Sequence, residues 1–305
     1  MVIHERELAI LRIETEQWYT SYKPLLFSLA YRMLGSAADA EDIVQDTFLA
    51  VARLDVSQVT NIKSYLCKMA TNRCLDRIKS AAAKRETYVG PWLPEPIDTS
   101  ARPEDPYDMY MLKESISTAY LLMLEQLSAT ERAVFLLREV YRYEYEEIAD
   151  IVGKSSANCR QIFRRAKNKI GENPEIETKS DPSDRQEMVA SFVEAMSTGN
   201  VARMLELLAP DAVLLSDGGG KVRAAVNPIL GPDRIWRFFE GLRQKYAVEF
   251  RGEWRMVNGA PGFVQHRQHD VWIVTFHIRE GRIESIYIVA NPDKTARFIG
   301  NAIKQ

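Results

Sequence analysis

Five prolines stand at positions 91, 94, 96, 103 and 106. Each removes a backbone donor and fixes φ, so neither a helix nor a sheet interior can run through this stretch. The chain is therefore divided there. Around the prolines, residues 86 to 108 hold Glu86, Glu95, Asp98, Glu104, Asp105 and Asp108 against Arg102, which predicts an extended acidic linker. The segments on either side carry the opposite charge. Lys63, Lys68, Arg73, Arg77, Lys79, Lys84 and Arg85 face the single Asp76 in residues 60 to 85. Lys154, Arg160, Arg164, Arg165, Lys167 and Lys169 occupy 154 to 170 with no acid. Two such patches, on a chain whose 40 Lys and Arg nearly balance its 42 Asp and Glu, are the electrostatic footprint of a nucleic-acid binder.

At 305 residues, 46% apolar and 27% charged, the chain is long enough for two domains or more, and collagenous or wholly disordered classes are excluded. Apolar runs such as Ala119 to Leu124 are far shorter than the ~20 residues of a bilayer span, and the N-terminus is charged where a signal peptide would be apolar. A cytoplasmic protein without a membrane segment is expected. Cys67, Cys74 and Cys159 show no metal-ligand spacing; no metal or cofactor is implied, and Cys67 and Cys74, seven apart, read as core residues.

Before the linker, Leu26, Leu29, Ala30, Met33 and Leu34 have helical spacing closed by Gly35. Ser36-x-x-Asp39 has capping-box form and opens a helix with Ile43, Val44, Phe48 and Val51 on its apolar side. That helix carries Asp39, Glu41, Asp42 and Asp46 with no base before Arg53, so it should present a negative face. A third helix, about 62 to 80, is basic. After the linker, residues 113 to 127 read as a helix. Ser128-x-x-Glu131 caps the next, and Ala149, Gly153 and the apolar Ile148, Val152, Cys159, Phe163 and Ala166 fit a helix-turn-helix.

LAYRMLGSAADAEDIVQDTFLAVARL followed by SYLCKMATNRCLDRIKS closely resembles region 2 of bacterial sigma factors of the extracytoplasmic-function (ECF) class, and residues 113–172 resemble region 4 of the same proteins. The resemblance implies that Asp39, Glu41, Asp42, Gln45, Asp46 and Phe48 bind the β′ clamp helices of core RNA polymerase. It assigns Asn61, Lys63, Asn72, Arg73, Arg77 and Lys79, with the loop at about 55 to 61, to the −10 promoter element. Region 4 would meet the polymerase β flap. There Ser155, Ser156, Asn158, Arg160 and Gln161 would read −35 base edges, while Arg164, Arg165 and Lys167 hold phosphates. Glu144, in the place of a customary serine, weakens a cap, and Lys154 replaces an apolar residue after the turn glycine.

Residues 183–305 read as helices followed by consecutive strands, an α+β domain with a curved antiparallel sheet. This part resembles the SnoaL-like branch of the nuclear-transport-factor-2 and ketosteroid-isomerase superfamily, a conical fold enclosing a cavity that could take a small-molecule ligand. The whole is thus expected to be multidomain: sigma region 2 at 1–85, linker 86–112, region 4 at 113–172, linker 173–182 and the SnoaL-like domain at 183–305. Asp217, His266, His269, Asp270, His277 and Glu284 could do acid-base chemistry, yet no spacing forces any two together; no catalytic residue is expected. A ligand-sensing helix-turn-helix regulator leaves residues 36 to 80 without a role. An isomerase fused to a DNA-binding module would need a carboxylate and a donor facing each other in the cavity.

Three short motifs bind the reading together. Trp92-Leu93-Pro94-Glu95-Pro96, Asp217-Gly218-Gly219-Gly220-Lys221 and Asn291-Pro292-Asp293-Lys294 resemble, in order, the motifs of ECF factors with this extension, the class called group 41. The resemblance implies that the extension sets sigma activity in cis. The linker motif is expected to pack near Asp217 to Lys221 and so hold the DNA-binding modules in one orientation. Thr295 in place of leucine removes an apolar anchor from the last motif.

Overall fold

The computed structural model describes residues 2–54, 59–100, 116–171, 182–246, 252–267 and 270–299. Most of the loop expected to capture a base (55–58), His269, residues 248–251 and the start of the expected helix at 113–115 lie outside the described residues. The chain divides into two compact units: 1–84, 102–114 and 123–172 form one, and 85–101, 115–122 and 173–305 the other.

The first unit is helical. Helix α1 (Val2–Leu34) stops at Gly35, whose φ of 66° only a residue without Cβ adopts cheaply. Helix α2 (Ala37–Val51) is capped by Ser36, whose Oγ accepts from Asp39 N at 3.2 Å. Its Ile43, Val44, Phe48 and Val51 are buried. Helix α3 (Ile62–Glu86) buries Leu66, Cys67, Ala70 and Cys74. Burial pushes the Cys67 thiol up to about 11 and raises that of Cys74 as well. Helix α4 (Thr118–Glu125) contains the division between the two units, which falls between Leu122 and Met123. Helix α5 (Ala129–Phe135) has the full capping box at Ser128 and Glu131 and runs on as one π-helical turn, Leu136–Val140. Helices α6 (Tyr145–Val152) and α7 (Ser156–Ile170) form the helix-turn-helix about Gly153, φ 63°. In α7 the buried stripe is Cys159, Ile162 and Ala166, with Phe163 only half-buried.

The second unit contains α8 (Pro182–Thr198), α9 (Val201–Leu207), β1 (Leu208–Asp217), β2 (Ile229–Leu230), α10 (Pro232–Tyr246), β3 (Glu253–Val257), β4 (Ala260–His266), β5 (Val271–Arg279), β6 (Arg282–Val289) and α11 (Pro292–Ile299). The strands form one sheet in the order β2-β1-β6-β5-β4-β3. The expected antiparallel sheet needs one correction: β1 and β6 run parallel. The chain meanders through β3 to β6 and then lays the last strand beside the first, with the same direction; the meander itself is legible from short turns, the closing pair is not.

Alternation along β5 serves both faces. Trp272, Val274 and Phe276 join the helices in one core, while Val271 and Ile273 join Val257, Val264 and Phe298 of α11 in another. The second face is thus covered by the chain itself. Phe298 also supplies the anchor that Thr295 cannot: Thr295 is itself buried, and the apolar contact moves one helical turn on. On the helix side lies a cavity with about 20 Å³ open to the centre of a water molecule, lined by residues such as Val193, Phe239, Leu242, Phe263 and Trp272, with Gln265 as its polar member.

Candidate functional site

Asp217 ends β1 and is fully buried. A carboxylate without water must be met by donors, and four converge on it. Oδ1 accepts from the Tyr88 hydroxyl at 2.6 Å and from Gly219 N at 3.0 Å. Oδ2 accepts from Leu93 N at 2.9 Å and from the Lys294 ammonium at 2.7 Å. Lys294 also donates to the Leu93 carbonyl and lies over the rings of Trp92, 4.2 Å from its centroid, and Tyr88, 5.2 Å away. Asn291 closes the arrangement by donating from Nδ2 to the Tyr88 oxygen at 2.9 Å. Burial and the carboxylate beside it raise the Tyr88 phenol far above its ordinary value, so it stays a donor.

All three motifs singled out in the sequence meet here. Leu93, Pro94, Glu95 and Pro96 are buried, Trp92 half-buried. Lys221 pairs with Asp293 at 2.6 Å and Glu95 with Arg297 at 3.3 Å. Gly219 and Gly220 have φ of 60° and 71°. A Cβ on Gly219 would collide with the Asn291 amide. Gly219→Ala is therefore expected to lose about 1–3 kcal/mol through strain and displacement of Asn291. Gly231→Ala, equally left-handed at φ 86° but in open space, should lose less. Melting temperatures of the two variants decide; equal losses would show that Asn291 is not held by this approach.

The linker continues alongside β3, with one isolated antiparallel bridge between Asp98 and Val257. Thr99 N donates to Met256 O at 2.7 Å, Asn258 N to Ile97 O at 2.9 Å, and Ile97 N to the Asn258 side chain at 2.8 Å. Met256 N donates to Ser100 Oγ, and Arg255 pairs with Asp98 at 3.1 Å. Residues 97–100 thereby cover β3, the outermost strand, whose backbone groups would otherwise lie open. Sequence reasoning missed Tyr88, Asn258 and Phe298, which have no local signature; a tyrosine four residues before Trp92 was the one visible hint.

In the helical unit the sequence-nominated residues are partly used by one another. Arg77 pairs with Asp39 at 2.8 Å and Asp42 at 3.5 Å, so the acidic face of α2 is partly neutralised at its N-terminal end, while Glu41, Gln45 and Asp46 are exposed. Phe48 differs from expectation: it is buried against Tyr19, ring centroids 5.0 Å apart, and supports the face from beneath. Asn61 caps α3 by accepting from Ser64 N. Lys63 lies over the Tyr143 ring, Arg73 donates to Met69 O, Lys79 pairs with Asp76, and Asn72 is exposed.

On α7, Ser155 is the N-cap and holds Asn158 N, while Ser156 and Arg160 both grip Glu146 of α6. Lys167 reaches Glu139 at 3.7 Å; Gln161, Arg164 and Arg165 are exposed. Glu144 is not a poor start to α6, because its N–H is taken by Glu147 at 3.0 Å, and Lys154 is exposed beside the turn. Among the acid-base candidates, His266 meets Glu253 and His277 meets Glu284, Asp270 accepts from Trp272, and none of them lines the cavity.

Family models match in the same order: sigma-70 region 2 at residues 18–84, sigma-70 region 4 at 117–170 and a SnoaL-like domain at 189–286. The ECF RNA polymerase sigma factor SigJ of Mycobacterium tuberculosis is 32% identical over 290 residues, 92% of each chain. The chain belongs to the ECF sigma factors. The crystal structure of SigJ superposes with a TM-score of 0.76 at 29% identity, covering 92% of this chain and 98% of that one. The probable ECF sigma factor SigI of the same species is 34% identical over 220 residues, 71% of this chain and 73% of SigI. As an ECF sigma factor carrying both sigma-70 regions and a SnoaL-like domain, the chain is an alternative sigma factor for transcription initiation. No described helix is long and apolar enough to cross a membrane.

Proposed function

We propose that this sigma factor binds core RNA polymerase through the exposed acids of α2 and promoter DNA through α3 and α7, and that its C-terminal domain controls it in cis by holding the linker. The observation that carries this reading is the convergence of Tyr88, Leu93 and Lys294 on Asp217. A domain that merely accompanied the sigma regions would have no reason to bury a carboxylate whose donors come from the linker. The division at 1–85, 86–112, 113–172, 173–182 and 183–305 fits this reading, the linker's first part serving as a bound ligand of the last domain.

The C-terminal domain acts here as a regulator and not as an enzyme. Its cavity is apolar apart from Gln265, and His277 with Glu284 belongs to the other face of the sheet, so no described acid and base meet around a substrate. A small-molecule ligand would have to be mostly apolar and would need the cavity to widen. A cytoplasmic location follows from the work of transcription.

Run-off transcription with core polymerase on a library of random promoters tests the proposal. Intact protein should yield promoter-specific transcripts. Arg164→Ala with Arg165→Ala should weaken DNA binding across sequences and lower the salt dependence by about one unit for each phosphate no longer neutralised. Absence of transcripts and of core binding would overturn the assignment of these surfaces.

A further inference from the structure

The first half of α4 folds with the C-terminal unit. Thr118 and Thr275 of β5 are both buried, and their hydroxyls meet at 3.1 Å. Ala119 and Leu122 pack on a cluster of Leu93, Tyr287 and Val289. Leu93 is the residue whose amide is held by Asp217. One apolar cluster therefore seats both the linker that follows α3 and the helix that leads into the helix-turn-helix. From Met123 onward the same helix belongs to the helical unit, so residues 118–122 are the point at which the C-terminal domain can act on everything downstream of them.

In the state where this seat is occupied, the helical unit is closed upon itself. Lys68 of the basic α3 pairs with Asp150 of the helix-turn-helix at 2.9 Å, Lys63 lies over Tyr143, and Arg132 donates to Met33 O at 2.6 Å. A basic helix and a helix-turn-helix that touch cannot grip two separate stretches of one duplex, since each base pair of spacing adds about 3.4 Å.

We propose that Thr118, Ala119 and Leu122 form a second anchor on the sheet, distinct from the Asp217 site, and that initiation requires its release. The anchor keeps α4 in place and the helix-turn-helix against α3; undocking frees the helix-turn-helix to part from α3 while the linker stays bound at Asp217. This inference rests on the sigma reading and adds to it the step that is regulated.

A reversible lock separates the two. In the intact chain, Thr118→Cys with Thr275→Cys places two thiols where the hydroxyls meet, and the three native cysteines are buried. Run-off transcription is compared for the same preparation oxidised and reduced, with the parent protein treated alike. The oxidised, cross-linked form should initiate at least tenfold less than its reduced form, with the parent unaffected. Equal or greater output from the cross-linked form would overturn the anchor. No transcripts from the parent would overturn the sigma reading instead.

Ala119→Asp decides independently, including where the cysteine pair fails to fold or to cross-link. Aspartate is favourable in the first turn of a helix, while its charge cannot sit against Tyr287 and Val289. Output should rise at least threefold, and no rise, or a fall, would overturn the proposal.

Discussion

Asp217→Ala is expected to unfold the linker from the C-terminal domain and to cost about 3–5 kcal/mol, the range for breaking a buried charge pair by removing one partner. The reason lies in what stays behind. The Lys294 side chain is 12% exposed, and its ammonium loses the carboxylate that meets it at 2.7 Å. Tyr88 and Leu93 N lose their acceptor at the same time.

Lys294→Met should cost less, because Asp217 keeps three neutral donors and the methionine still fills the space over Trp92 and Tyr88. The double variant should then lose clearly less than the two single losses added, since the charge stranded by each single change is gone. Equilibrium denaturation of the four proteins measures this. Simple additivity would show that Asp217 and Lys294 do not act as a pair. Because Leu93 belongs to the cluster that seats α4, Asp217→Ala should also move transcription in the same direction as Ala119→Asp.

What could be read from the sequence was local or was carried by a resemblance. Ser36 with Asp39 and Ser128 with Glu131 are contacts between residues three apart, and Gly153 ends a helix by its own backbone freedom, so each announces itself within a few letters. The site differs in kind. Tyr88 meets Asn291 across 203 positions and Ile97 meets Asn258 across 161. Nothing local distinguishes these residues from any surface tyrosine or turn asparagine. The three motifs pointed to the right neighbourhood only through family likeness, and the residues added by the structure are those that complete hydrogen bonding around a buried carboxylate. Phe48 shows the opposite case: helical spacing alone puts it among the apolar residues, and its packing on Tyr19 follows that spacing and not the role that likeness assigned to it.

Arg132 is the other buried charge from which a large effect is expected. Its side chain is 5% exposed and reaches the Glu125 carboxylate at 2.8 Å, Met33 O at 2.6 Å and Leu127 O at 3.5 Å. Met33 is in the last turn of α1, where carbonyls have no partner inside the helix and carry the negative end of its dipole, so a guanidinium from α5 caps α1. Arg132→Met keeps the volume and the apolar stem but takes the buried guanidinium away from Glu125 and from that carbonyl, and should cost about 3 kcal/mol. Lys68→Ala breaks an ion pair between the same two regions, yet Lys68 and Asp150 are 36% and 71% exposed. Water and salt already screen that pair, and no measurable loss of stability is expected. Denaturant midpoints of the two variants measure the difference. Similar small losses would mean that the closed form of the helical unit rests on its apolar contacts alone. A large loss for Arg132→Met and none for Lys68→Ala would place the hold between the two regions at the buried end of α1, and would leave the basic face of α3 able to exchange Asp150 for phosphate at little cost.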